Sequence, residues 1–168
     1  MNIRPFRDND FPEILNIYAN SKLDELSFES EEFKLLPLDE DEIRLAGLKE
    51  SDIYVYEDGG VIGYGALFGS EIRALFVCPG ARGKGIGKSL LDFMLLNVTG
   101  TVSLYVAKTN IPAKQLYNNF GFIITDEFET TYNGVSVLAN KMVRSETEIC
   151  FNGPYEDTRR LRCIRTKV

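Results

Sequence analysis

Residues 75–91 constrain the chain most, because they join a short apolar strand to a helix through a glycine-rich loop. The strand Leu75-Phe76-Val77 is stopped near Pro79, which cannot donate to a sheet ladder. The loop that follows supplies glycines and basic residues: Arg82, Gly83, Lys84, Gly85, Gly87 and Lys88. The first turn of a helix has unpartnered backbone N–H groups and a positive partial charge, so this arrangement predicts an anion site.

Two familiar anion loops are excluded by spacing. A Walker A loop requires a glycine where this chain has Arg82. A dinucleotide fingerprint requires a small residue where this chain has Leu90. The helix itself is indicated by apolar residues at helical spacing, namely Ile86, Leu90, Leu91 and Met94.

What the loop does fit is Arg-x-x-Gly-x-Gly over residues 82–87, behind a Val-x-Pro strand end. This pattern resembles the coenzyme A pyrophosphate loop of the GNAT superfamily of acyl-CoA-dependent N-acetyltransferases. A second stretch is similar to the family's downstream signature, with Asn110, Ala113 three residues on, Tyr117 seven on, and then Gly121-Phe122. Within the superfamily the chain looks most like the small bacterial acetyltransferases.

The resemblance implies acetyl-CoA as a co-substrate and no metal. It implies an amine acceptor, which we expect to be an amine-bearing small molecule, a protein lysine or a protein N-terminus. The residues expected to bind the coenzyme are Leu75, Phe76, Val77, Arg82, Gly83, Lys84, Gly85, Ile86, Gly87, Lys88, Asn110 and Tyr117.

Three catalytic roles are also implied by the resemblance. The N–H of Val77 would donate to the thioester oxygen, where negative charge develops. Tyr117 would protonate the departing thiolate, since a phenol is a plausible acid for this step. The alternative for Tyr117 is a half-buried aromatic that packs on its neighbours.

The general base is the least specified role. Glu71 resembles the base position of the superfamily's histone acetyltransferases. The bacterial protein acetyltransferases often carry a glutamate five residues before the asparagine, where this chain has Tyr105. Glu25, Glu29 and bulk water therefore remain alternatives. A different class of function, a non-catalytic acyl-CoA-binding sensor or regulatory domain, also remains open.

The patterns predict the order β-α-α-β-β-β-α-β-α-β-β. Hairpin turns are expected at Asp58-Gly59-Gly60 and Asn133-Gly134, and a helix N-cap at Asp10. The strand–helix–strand crossover around the loop implies one parallel pair. The resemblance implies an α+β GNAT fold, with a mostly antiparallel sheet of about seven strands, a splayed parallel pair and about four flanking helices.

The fold is expected over residues 1–143, with 144–168 a C-terminal extension of unknown role. The net charge of −6 argues against a general nucleic-acid binder, and the basic cluster near the end is short. The chain has no histidine, which excludes a histidine general base and Ser-His or Cys-His catalysis. Its cysteines, Cys78, Cys150 and Cys163, have no metal-binding spacing.

The longest apolar runs are far shorter than the ~20 residues of a membrane helix, and the first residues lack an apolar signal region. We therefore expect a cytoplasmic protein without membrane association, as a monomer or homodimer. The acidic, irregular residues 24–38 have two interpretations. They form either a solvated loop or an acidic lip near the acceptor site that attracts a cationic amine.

Overall fold

The computed structural model describes residues 2–145, so the predicted extension lies almost wholly outside the described residues. The described chain forms one mixed sheet in the order β1-β2-β3-β4-β5-β7-β6. The strands are β1 Asn2–Pro5, β2 Asp52–Glu57, β3 Val61–Phe68, β4 Glu71–Val77, β5 Val102–Ala107, β6 Ile123–Tyr132 and β7 Val135–Arg144. The α-helices are α1 Phe11–Ser21, α2 Glu42–Lys49, α3 Ile86–Leu96 and α4 Ile111–Asn119.

This architecture confirms the predicted element order and the α+β class with a seven-stranded sheet. Within residues 2–145, β4 and β5 form the one parallel pair, and every other paired neighbour is antiparallel. Both predicted hairpin turns are present, and Asn133 and Gly134 adopt positive φ values of 47° and 79°. Such torsions match the strand twist of a tight hairpin, which is why the Asn-Gly pair was a strong signal.

The two faces of the sheet bury different helices. Ile14 and Ile17 of α1 pack with Tyr64 of β3 on one face. Leu91 and Met94 of α3 pack with residues of β5 and β7 on the other. The strand β4 therefore lies between two apolar layers, one formed with α1 and the other with α3.

A glycine in β3 brings α3 close to the sheet. A Cβ atom on Gly65 would lie 2.7 Å from Sδ of Met94, inside van der Waals contact. The absent side chain thus lets α3 pack directly over β3, and this packing fixes where the helix begins.

Asp10 begins α1 as predicted, but its carboxylate has a different role. It makes no side-chain hydrogen bond to the first turn of α1. Instead it accepts from both terminal nitrogens of Arg4, at 2.7 and 2.8 Å, and from the N–H of Arg7. Arg4 also donates to Glu57, so the carboxylate ties α1 to the β1–β2 edge. The position of the N-cap is thus as predicted, and the carboxylate binds Arg4 instead of the first turn because a guanidinium is a stronger, charged donor.

The hydrogen bond from Arg4, aided by that from Arg7, holds the pKa of Asp10 below its usual range. A depressed native pKa contributes stability above the unfolded pKa, about 3.9, and the contribution is lost as the pH falls through the native pKa. We expect Asp10→Asn to lower the free energy of unfolding at neutral pH, measured by urea denaturation. The difference from wild type should shrink below about pH 4.

The exposed neighbour Asp8 provides the matched control. Asp8→Asn should follow the wild-type pH dependence throughout. A gap between Asp10→Asn and wild type that stays constant into acid would contradict this account of the carboxylate.

Candidate active site

The parallel strands β4 and β5 separate soon after they meet. Their pairing consists of Glu71 with Ser103 and Ile72 with Leu104, and no pair follows in the described chain. Beyond this point β4 continues to Val77 beside β3, and β5 continues beside β7. The predicted splay is thus present as an opening in the middle of the sheet.

Two backbone N–H groups of β4 point into this opening. The N–H of Cys78 donates to the carbonyl of Ile62 at 2.9 Å, which fixes the phase of the β3–β4 ladder. Because bonded and non-bonded pairs alternate in antiparallel strands, Leu75 and Val77 fall at non-bonded pairs with β3. Their N–H groups therefore face the side where β5 has diverged.

The opening between β4 and β5 leads into a cavity of about 380 Å³. Its lining includes Leu75 and Phe76 of β4, Val106 and Ala107 of β5, and residues of α1, α2 and α4. Two of the sequence-predicted site residues on α4 or its cap, Asn110 and Tyr117, line the same cavity. Residues predicted from two separate motifs are thus brought to one place.

The glycine loop has the backbone torsions that an anion cradle needs. Gly83 and Gly85 adopt φ values of 75° and 80°, where a side chain is strained, and Gly85 is the N-cap of α3. The first turn of α3 contains no acidic residue, and Lys84 and Lys88 are exposed beside it. The N–H groups of this turn and the two ammonium groups make it a site for negative charge.

Arg82 of the glycine loop makes specific contacts with two other segments and is more than an exposed positive charge. Its Nε donates to the carbonyl of Val77 at 3.1 Å, and its Nη1 forms an ion pair with Asp24 at 2.6 Å. Ser21 Oγ donates to the same carbonyl. Arg82 therefore ties the glycine loop to the end of β4 and to the segment that follows α1.

Asn110 has the local role that its sequence position predicts. Its side-chain oxygen accepts from the N–H of Ala113 at 3.2 Å, which caps α4. The cap fixes the direction of α4, and α4 carries Tyr117 into the cavity wall.

Tyr117 is buried, and its ring lies edge-on to Phe122 with centroids 5.9 Å apart. Burial, reinforced by the Glu25 carboxylate, raises the pKa of Tyr117 far above that of an ordinary phenol. The same two causes raise the pKa of Tyr64. Both phenols therefore stay protonated at neutral pH, and both are hydrogen-bond donors near the Glu25 carboxylate.

Glu71 and Glu25 lie in different places. Glu71, at the start of β4, forms an ion pair with Arg73 and is not among the cavity-lining residues. Glu25 lines the cavity and forms an ion pair with Lys22. Of the carboxylates that the sequence offered as bases, Glu25 is the one beside Tyr117.

The residues between α1 and α2 lie over the opening, and we call them the roof segment. A 3-10 helix spans Lys22–Leu26. Glu29 accepts from Thr109 Oγ1, and the N–H of Leu36 donates to Tyr132 Oη at 3.0 Å. With Asp24 bound to Arg82, this roof segment contacts both sides of the opening. The segment therefore lies beside the cavity, where the acidic-lip interpretation expects it.

Polar cavity residues that escaped the sequence analysis include Tyr18, Lys22, Arg44 and Tyr132. They come from α1, the roof segment, α2 and the end of β6, and only tertiary packing brings them together. The one local signal was the low exposure expected of tyrosines on an apolar helix face, which does not distinguish core from site.

No metal-binding group of three or more Cys, Asp or Glu side chains converges within residues 2–145, and no helix there has the length and apolarity to cross a bilayer. The fold and site define an α+β protein that can hold an anionic ligand between two diverging parallel strands. Residues 49–124 match the family model for the acetyltransferase (GNAT) domain. This part of the chain is therefore similar to a GNAT acetyltransferase domain.

One curated relative supports this assignment. The chain is 35% identical over 68 residues to the peptidyl-lysine N-acetyltransferase YjaB of Salmonella typhimurium. The match spans 40% of this chain and 46% of that protein, so it covers about half the length of the relative.

Solved structures share the fold. A GCN5-related N-acetyltransferase from Rhodopseudomonas palustris superposes with a TM-score of 0.70 at 18% identity, over 86% of this chain and 94% of that one. A GNAT-superfamily phosphinothricin acetyltransferase from Sinorhizobium meliloti, solved with acetyl-CoA, gives a TM-score of 0.63 at 22% identity, over 86% and 87%. At these identities the likeness shows the common fold.

Proposed function

We propose that this protein transfers the acetyl group of acetyl-CoA to a primary amine by direct attack. The observation that carries the proposal is a cavity lined by both the unpaired side of β4 and the buried phenol of Tyr117. The glycine loop at the start of α3 follows directly on the end of β4, and its residues 82–88 are not among those that line the cavity. The family match and the acetyl-CoA complex of a structural neighbour support the choice of coenzyme.

The residues of the loop and opening fit the coenzyme's charge and shape. The pyrophosphate would accept hydrogen bonds from the N–H groups of the first turn of α3, between Lys84 and Lys88. The pantetheine arm would lie along the unpaired side of β4 and near Asn110. The thioester oxygen would accept from the N–H of Val77 or of Leu75, which faces the same side and belongs to a cavity-lining residue.

The chemical step needs one base and one acid. A neutral amine forms the new N–C bond as the C–S bond breaks, and the electron pair of that bond leaves on sulfur. In our proposal Glu25 takes the proton of the ammonium form, and Tyr117 gives its phenolic proton to the thiolate. The second nitrogen proton, lost as the amide forms, returns to Tyr117 and restores its phenol. The ion pair with Lys22 holds the Glu25 carboxylate in place, and Glu71 is the alternative base.

The first prediction tests the loop. Gly85→Glu should abolish acetyl-CoA binding, measured by isothermal titration calorimetry, because it adds bulk, a strained torsion and a like charge at the N-terminus of α3. Gly59→Glu is the matched control, since Gly59 also has a positive φ and open space around its Cβ position but lies in the β2–β3 turn. Equal binding by both variants would reject the loop as the pyrophosphate site.

The second prediction tests the acid. Tyr117→Phe should lower kcat at least tenfold, a modest share of what general acid catalysis supplies, and leave the Kd for acetyl-CoA nearly unchanged. Tyr54→Phe, outside this cavity, should retain wild-type kcat. Unchanged turnover in Tyr117→Phe would reject the acid role, and coenzyme binding without any turnover in wild type would favour the sensor alternative.

The third prediction separates the two candidate bases. Glu25→Gln should lower kcat about tenfold or more at neutral pH, because the variant lacks the carboxylate that accepts the proton. Glu71→Gln should stay near wild type, because Glu71 is paired with Arg73 and does not itself line the cavity. The opposite result would assign the base to Glu71. Circular dichroism of each variant checks that the fold is retained.

A further inference from the structure

The cavity has a second polar end, which Lys22 joins to the Glu25–Tyr117 end through its ion pair with Glu25. It is formed around the ring of Tyr132, with Lys22 Nζ 5.0 Å and the Arg44 guanidinium carbon 4.8 Å from the ring centroid. Tyr18 lines the same end, and both Tyr132 and Arg44 influence its pKa, which burial chiefly raises. We call the three residues that offer hydrogen-bond donors at this end the donor cluster: Tyr18, Lys22 and Arg44.

The Tyr18 hydroxyl is a buried donor that lacks an acceptor. The residue is 2% exposed, and no residue of the described range 2–145 makes a hydrogen bond of normal geometry to its oxygen. Leaving a buried hydroxyl without a partner is costly, so such groups are uncommon unless something else satisfies them. Because this hydroxyl lies in a cavity wall, a bound ligand can supply the missing acceptor.

Arg44 is held in place and still has donors to give. Its Nη1 donates at 2.6 Å to the buried carboxylate of Asp41, which also caps α2. Among described residues that is the one hydrogen bond of its side chain, and about a third of the side chain is exposed. Nε and Nη2 thus remain available, and a planar guanidinium with two open donors matches a carboxylate.

We infer that the acceptor amine carries a carboxylate, which binds to the donor cluster while the amine lies at Glu25. This inference rests on the proposed acetyl transfer. The cavity has opposite polarity at its two ends, an acceptor of protons near Tyr117 and a group of donors near Tyr132. A small amino acid, with an ammonium and a carboxylate at opposite ends, complements both.

The test uses matched acceptors that differ at one end. The panel is glycine, β-alanine, 4-aminobutanoate and lysine, each with its carboxamide, together with a blocked lysine peptide that lacks a carboxylate. At least one acid should be acetylated with a kcat/KM ten or more times that of its amide. In Arg44→Gln this ratio should fall toward one, mainly through KM, and Arg7→Gln, an exposed arginine outside the cavity, should keep it.

A second measurement does not depend on turnover or on Arg44. Pentanoate, which has the carboxylate without the amine, should bind wild type in calorimetry in the presence of CoA and should bind Tyr18→Phe at least threefold more weakly. Amides as good as acids, a preference for the lysine peptide, or no pentanoate binding would overturn the inference and leave acetyl transfer standing. No acetylation of any acid, amide or peptide would overturn the proposed function and the inference with it.

Discussion

The early parting of β4 from β5 is the constraint on which the rest of the structure depends. Two residue pairs join the strands, and beyond Ile72 the backbone of β4 has no strand paired with it on that side in the described chain. Unpaired backbone groups inside a protein are costly, so they persist only where something else meets them. Here the Val77 carbonyl accepts hydrogen bonds from Ser21 and Arg82. The N–H groups of Leu75 and Val77 face the side where β5 has diverged, and Leu75 lines the cavity. The opening in the sheet is therefore both a feature of the fold and the proposed binding surface for the coenzyme.

The segment between α1 and α2 turns that opening into a site with chemical polarity. It is anchored at the glycine loop through Asp24 and at the β6–β7 end through Leu36. Between these anchors it carries Glu25 into the cavity, next to the buried phenol of Tyr117. The coenzyme end and the acceptor end are therefore joined by one stretch of chain, and a change in the roof segment alters both.

Local signals predicted the geometry of the glycine loop and of the helix from Asn110 to Tyr117, which form the proposed coenzyme half of the site. The glycine loop and the Asn110–Tyr117 spacing each act within one turn and one helix, so their geometry follows from nearby residues. The acceptor half could not be predicted, because Tyr18, Arg44 and Tyr132 are far apart in sequence and meet only through packing. The choice of Glu25 over Glu71 likewise depends on the path of the roof segment, which has no periodic pattern.

The exchange rates of three neighbouring amides in β4 test the central claim most directly. With amide hydrogen exchange followed by NMR, Phe76, at a bonded pair with β3, should be protected with or without acetyl-CoA. The amides of Leu75 and Val77 should exchange rapidly in the protein alone and become protected when acetyl-CoA is added. Protection of all three in its absence would mean that the strand is fully paired and would contradict the account.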